Sequence, residues 1–532
     1  MKINHLVLQF ALLGIAVPGY AIDLYVDEKT GQVFTKPGIG RTHLGEFRKV
    51  EDHMPKNTSE DLKRMESSLE EKKKELEALE SRLDRKAESL SMSEKTEEPE
   101  EEGAVVKIGD KGLEIESKDG NFKAALGGRI QLDTQTNWND GRSTAGLNDG
   151  FGVRRGRWHV DGVLYRDFAY KFEYDFVRGS GTNAAGITDA FARYTYFKPF
   201  TVTIGQFKEP FSLESVTSNR FITFIERTLP NNAFVEFANP YRLGISAESF
   251  GDRWTARAAF QAEPIGNGNY NNNTSLNSNG NANRNGPSGG PSYQALGRFT
   301  LLPWYQDATE LVHLGFAGGY SAVNNQYCTD TTSKKANGDT CTIGAAKAPL
   351  RFASQPGSNV DRSNWADTGA LSNAGGALEV NHFTRFGAEL AAIYGPFQFA
   401  SEYMRTQLSG PGYSDADVLE GYYAYGSYFL TGESRAYNVK EGKFDRMTPF
   451  QNFDLNGGWG AWEVAARWDS VDLNSPHVHG GILSNGTVAL NWYLNPHVRF
   501  MANYVHVFQN KGTLTTSGLN PDIMEFRTQL DW

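Results

Sequence analysis

Along residues 151–164, charged side chains alternate with apolar or small ones. Arg155, Arg157, His159 and Asp161 share one parity, and Trp158, Val160, Gly162 and Leu164 the other. In an extended strand this spacing puts every charged group on one face. Arg129 has the same parity on the preceding stretch, so the two stretches form a basic stripe. Arg193, Arg242, Arg257 and Arg298 occupy the wet faces of later alternating stretches. Arginine suits oxyanions because its planar fork makes paired charge-assisted hydrogen bonds and does not deprotonate. Several such groups in series suit an anion that sheds part of its hydration at each position and is trapped at none. A structural reading competes, because Glu173, Asp175, Asp189 and Glu248 are available to pair with these arginines and brace a wall. No GxSxG, HExxH or GxxxxGK[ST] pattern occurs, and nothing groups Ser, His and Asp as a triad. The expectation is therefore not an enzyme, with no cofactor, no metal and no nucleic-acid partner.

These faces must be positioned by long strands. Phe122, Ala124, Leu126, Gly128, Ile130 and Leu132 alternate with Lys123, Arg129, Gln131, Asp133 and Gln135, and 168–176 repeats the pattern with Phe168, Tyr170, Phe172, Tyr174 and Phe176 opposite Lys171, Glu173 and Asp175. Sandwiches alternate too, so strand length and connections decide the class. Tight turns at 166–167, 198–199, 251–252, 395–396 and 495–496 alternate with long stretches such as 266–292 and 323–379. Short turns at one end and long loops at the other describe an all-β transmembrane antiparallel barrel, here of about sixteen strands, with a wet lumen. Residues 431–457 do not fit: they are either a long connection on the short side or hide another strand pair. On β-strand parity Arg154 faces outward near the extracellular end of its strand, towards lipid headgroups or a subunit interface.

The chain has 532 residues, a formal charge of −10, 56 Gly and a mean hydropathy of −0.50. After the first twenty residues no apolar run approaches the roughly 18 that a spanning helix needs. Residues 1–21 read as a cleavable export signal, with Lys2, an apolar run and small closing residues. Residues 22–55 are expected to be an N-terminal periplasmic segment. Between 56 and 102 lie 10 basic and 16 acidic residues and no aromatic one. There Leu62, Met65, Leu69, Lys72, Leu76, Leu79, Leu83, Lys86 and Leu90 trace a heptad seam, so this stretch reads as a coiled coil or a charged linker, leading to the barrel at 103–532. Residues 105–121 read as a hairpin entering the main sheet.

Several blocks resemble the family of phosphate-selective porins O and P. They include Leu126-Gly127-Gly128-Arg129-Ile130-Gln131, Gly205-Gln206-Phe207-Lys208-Glu209-Pro210-Phe211, Phe224-Ile225-Glu226-Arg227, Gly460-Ala461-Trp462-Glu463-Val464-Ala465-Ala466-Arg467 and Asn491-Trp492-Tyr493-Leu494-Asn495-Pro496. The resemblance runs in order across roughly 105–532. It implies a homotrimer of sixteen-stranded barrels in the bacterial outer membrane, each with an arginine-lined anion channel constricted by an infolded loop. The loop is expected at 206–239, carrying Lys208, Arg220 and Arg227. Where the family has a lysine after a serine pair at its central anion site, this chain has Thr217-Ser218-Asn219-Arg220, which assigns Ser218 and Arg220 to that position. Asp161 or Glu226 would accept the proton of hydrogen phosphate and so tell it from sulfate.

The expected function is passive diffusion of small anions, phosphate or polyphosphate foremost. The alternatives are a porin without phosphate selectivity, or an outer-membrane barrel enzyme. Cys328 and Cys341 share one long loop and are expected to form a local disulfide. His477-Val478-His479 reads as solvated loop histidine.

Overall fold

The computed structural model divides into two compact units, 1–101 and 102–532. In the first it describes residues 22–27, 33–34, 41–47 and 72; in the second it describes 103–532 apart from 110–111, 142–145, 178–185, 237–238, 263, 266–292, 324–349, 359, 370 and 372–379. The export signal, the heptad seam apart from Lys72, and the cysteine pair lie outside the described residues. In the first unit Ile22–Asp27 pairs antiparallel with both Val33–Phe34 and Arg41–Phe47.

The second unit is a closed antiparallel barrel of sixteen strands. They are β1 (Phe122–Trp138), β2 (Gly150–Leu164), β3 (Phe168–Asp175), β4 (Ile187–Tyr194), β5 (Thr201–Lys208), β6 (Tyr241–Phe250), β7 (Trp254–Gln261) and β8 (Tyr293–Asp307). The second half comprises β9 (Glu310–Ala322), β10 (His382–Tyr394), β11 (Phe397–Ser409), β12 (Val418–Phe429), β13 (Ala461–Ser475), β14 (Val478–Tyr493), β15 (Val498–Lys511) and β16 (Asp522–Asp531). The barrel closes where β16 pairs with β1, from Asp522 opposite Trp138 to Asp531 opposite Arg129. The expected hairpin is present as Ala104–Gly109 and Gly112–Ser117, and its second strand continues that edge along Leu126–Lys123. Closure leaves no sheet edge in the apolar zone, the condition for strands to cross a membrane.

Polarity is inverted relative to a water-soluble protein. On β1, Gln131, Asp133, Gln135 and Asn137 are at most 2% exposed, whereas Ile130 and Trp138 are 39% and 41% exposed. The outer face is the apolar one because lipid, not water, surrounds it. At the seam Gly128 and Trp532 exchange two backbone hydrogen bonds of 3.0 Å. A Cβ on Gly128 would come within 2.6 Å of the Trp532 ring and 3.0 Å of the Arg157 carbonyl, so a side chain there would displace the terminal aromatic.

The short turns include Tyr165-Arg166-Asp167, where Tyr165 and Arg166 take φ of 47° and 62°, the conformation a tight hairpin turn requires. The stretch between β12 and β13 is the exception at this end. It does contain a strand pair, Tyr437–Asn438 with Lys443–Phe444, but this is a miniature hairpin and adds no barrel strand. It folds up into the lumen, where the Gly442 carbonyl accepts from Arg298 at 2.8 Å and the Tyr437 hydroxyl meets His313 Nδ1 at 2.7 Å.

From the other end two loops fold inward. Phe211, Leu229 and Phe234 of 209–240 pack with Leu350, Phe352, Trp365 and Leu371 of the loop between β9 and β10. Wall residues Phe383, Met404, Leu419, Val471 and Val505 complete this apolar cluster inside the barrel. Hence part of the lumen is a packed core.

Candidate functional site

The segment 209–240 is the one whose residues fold against the inner wall from both its ends. Its first turn, Leu213–Val216, is capped by Ser212, whose Oγ accepts from Ser215 N at 3.1 Å. The buried Glu402 carboxylate of β11 accepts from Ser212 Oγ at 3.1 Å and from the backbone N–H groups of Leu213 and Glu214 at 3.0 and 2.8 Å. A carboxylate at a helix start satisfies otherwise orphaned donors, and here it locks the loop to the wall.

Residues 221–226 then run through the lumen as a turn and a series of bends, outside any sheet ladder, and their carbonyls would be stranded without donors. Arginines supply them. Arg435 donates to Phe221 O at 3.0 Å, Arg499 to Ile222 O at 2.9 Å and Arg467 to Glu226 O at 2.9 Å, while Arg527 donates to Ile225 O. Asn491 Nδ2 donates to Thr223 O at 2.8 Å. The Glu226 side chain is gripped as well, by Arg154 at 2.9 and 3.1 Å and by Arg527 at 2.8 Å. Burial alone would raise its carboxyl, but Arg154, Arg527 and Arg155 outweigh burial and hold it at about 2.

Arg154 corrects the parity argument. Gln131 pairs with Arg155 but Leu132 with Val153, so Arg154 is the extra residue of a β-bulge. The bulge re-aims one side chain, turning Arg154 towards Glu226 in the lumen and away from lipid.

Beside the loop, between it, the walls β3–β8 and the miniature hairpin, lies a cavity of about 690 Å³. Among the described residues, eleven lysines and arginines and five carboxylates line it. Of the residues expected at the site, Arg129, Arg193, Lys208, Ser218, Arg220, Arg227, Arg257 and Arg298 are brought together here. Arg155, Arg157, Arg242, Asp161 and Glu226 are not part of its lining. Arg155 is buried and donates to Gln131 at 2.8 Å, and Arg242 donates to Ala262 O at 3.3 Å. Asp161 is half-exposed and sits 3.5 Å from His159.

Most lining cations are paired. Arg129 meets Glu173 at 2.6 Å, and behind the lining Arg157 meets Glu173 and Asp175 at 2.8 and 2.7 Å. Arg193 and Arg257 share Glu248 at 3.3 and 3.5 Å, and Arg298 forks onto Glu389 at 2.8 and 2.7 Å. Lys208 and Arg227 converge on Glu236 at 2.7 and 3.1 Å. Burial would raise Glu236, but these two cations hold it well below the usual carboxylate range. The wall-bracing reading of the arginines therefore describes many of them.

Arg220 differs. Its backbone N–H reaches Ser218 Oγ at 3.3 Å and its guanidinium lies 5.2 Å from the Phe221 ring, with no carboxylate bonded to it among the described residues. Burial, then the neighbouring Arg129, lower its pKa to about 10, so it remains charged at neutral pH. It also lines a second, smaller pocket with Arg435, Arg446, His497 and Arg499, which places it between the main cavity and the turn at 495–497.

The family described as phosphate-selective porin O and P matches residues 124–532. The chain belongs to that family. It is similar to Porin O of Pseudomonas aeruginosa, 27% identical over 450 residues, covering 81% of this chain and 93% of the relative. An uncharacterized protein of Caulobacter vibrioides is 29% identical over 393 residues, covering 73% and 69% of the two chains. Among solved structures, OmpT, an outer membrane protein of Vibrio cholerae, aligns at a TM-score of 0.43 with 8% identity, covering 77% of this chain and 98% of its own. This chain is thus an outer-membrane porin, a channel and not an enzyme.

Sequence reasoning missed several residues of this porin's lumen. Parity already sets Lys171 on the wet face of β3, without a role, and on β13, β15 and β16 it would have pointed Arg467, Arg499 and Arg527 inward. Lys440 and Lys443 had no such signal, because the hairpin that carries them enters from the end where turns are short. His477 sits 2.8 Å from Asp417, and no cluster able to hold a metal occurs among the described residues.

Proposed function

We propose that this porin passes small anions, phosphate or polyphosphate foremost, by passive diffusion past the 209–240 constriction. The observation that carries the reading is the excess of cations around the cavity, among them Arg220, which bonds no carboxylate among the described residues. Paired arginines hold the frame, and the surplus charge replaces part of the hydration an anion loses. An acceptor for the proton of hydrogen phosphate is supplied by Asp189 or Glu248, which line the cavity, in place of Asp161 and Glu226. The porin works as a homotrimer, with 22–102 as a periplasmic extension whose heptad seam joins the subunits.

The pairing of Arg129, Arg193, Arg257 and Arg298 favours a second reading, a general anion porin without phosphate preference. Block of single-channel chloride current by added phosphate and by added sulfate separates them. Stronger block by phosphate supports the first reading, and equal block supports the second.

A further inference from the structure

We infer that residues 448–460, the outer half of the long turn between β12 and β13, form a tongue seated in the inner leaflet of the outer membrane, with phospholipid covering its exposed face. The segment presents Leu455, Trp459 and Phe450 to the surroundings at 94%, 70% and 60% exposure. Such large apolar side chains on a thirteen-residue tip need a cover. Two observations identify lipid.

The first is continuity with the lipid-facing belt. Trp492 Nε1 donates to Trp459 O at 2.9 Å, Phe453 meets the Trp492 ring edge-on at 5.1 Å, and Trp492 stacks on Trp462 at 5.1 Å. Trp462, Trp492 and Phe500 are outward positions at the ends of β13, β14 and β15. Tryptophan at this depth marks the membrane–water boundary, so the tongue extends an aromatic belt that already faces lipid.

The second is that the tip satisfies part of its own backbone. Asp454 N donates to Gly458 O at 3.1 Å, and Asp454 Oδ1 accepts from the N–H groups of Asn456 and Gly458 at 2.8 and 2.9 Å. Phe453 N donates to Leu494 O at 2.6 Å. Gly457 supplies the φ of 121° that closes the turn. A turn closed in this way, with Asn452, Asp454 and Asn456 exposed beside its apolar side chains, suits the headgroup boundary, where fewer backbone groups need water. Beneath it a cleft of about 590 Å³ is walled by Phe450, Asn452, Asn495, His497 and Val498, a mixture that suits the border between lipid headgroup and acyl chain. The inner half of the same turn supplies Lys440 and Lys443 to the cavity, so the lipid-held tongue fixes that hairpin from outside.

The test places bimane on L455C, with D415C in an exposed extracellular turn as control, both in a C328S/C341S background. The full chain is reconstituted in phosphatidylethanolamine–phosphatidylglycerol vesicles and its folding is checked by heat-modifiable gel mobility. The label at 455 is expected to be quenched several-fold more strongly by shallow doxyl lipids than by aqueous iodide, with the reverse order at 415. Iodide quenching at 455 equal to that at 415 overturns the inference. So does protection from both quenchers together with oxidative cross-linking of L455C between protomers, which would make a second copy the cover. Neither result bears on anion selectivity.

Discussion

At the residue scale, arginine has two separate jobs in this lumen. Arg435, Arg467, Arg499 and Arg527 donate to loop carbonyls, whereas Arg220 lines the cavity and bonds no carboxylate among the described residues. A hydrogen bond to a charged group contributes about 1.5–3 kcal/mol, so R220A should weaken phosphate block roughly tenfold or more by that measure. R220K should retain most of it, because the charge stays. Titration of blocking affinity in planar bilayers checks both. Glu226 gives a pH prediction. Its folded pKa, about 2, lies below the ordinary carboxylate value, so its clamp on the loop is fully present above about pH 4.5 and is lost as pH falls through about 2. Single-channel noise should therefore grow as pH drops over that window, and E226Q should show the noise at neutral pH. A flat noise profile would mean that the clamp does not hold the loop. Sequence parity placed Arg129, Arg157, Arg257 and Arg298 inside because alternation is a rigid property of extended chain. It misplaced Arg154 because one bulged residue flips the parity and leaves no mark in the pattern.

At the element scale, two infolded segments meet from opposite ends. The infolded loop was legible, at 206–239, from its length and its interleaved Ser218, Arg220 and Arg227; the structure starts it at 209, because Gln206, Phe207 and Lys208 still pair in β5 with Leu243, Arg242 and Tyr241. The miniature hairpin was only a misfit in the rule that one end has short turns, since four strand residues give too little alternation to read. It nevertheless contributes Lys440 and Lys443 to the cavity and is pinned by Arg298 and His313. Replacing 437–444 with a short glycine–serine turn should leave the barrel folded, raise conductance and weaken the anion preference. Bilayer recordings with a heat-modifiability gel check this. Unchanged conductance would show that the hairpin does not narrow the path. The apolar cluster of Phe211, Phe234, Phe352 and Trp365 was not legible either, because these residues come from separate loops and no local period links them.

At the scale of the whole molecule, one inversion explains the rest: apolar belts outside, charge and a partial core inside, and a closed ladder of backbone hydrogen bonds between. The barrel was legible from strand length, alternation and asymmetric connections, all of which follow from crossing a bilayer. The balance of charge in the passage was not, because it depends on which carboxylates reach which arginines across the lumen. That balance leaves a cationic surplus in the cavity, and a fixed positive field admits anions over cations. The reversal potential of the purified porin in a planar bilayer under a potassium chloride gradient tests it most directly. The account predicts a potential of the sign set by chloride, with chloride more permeant than potassium; a potential set by potassium would contradict it.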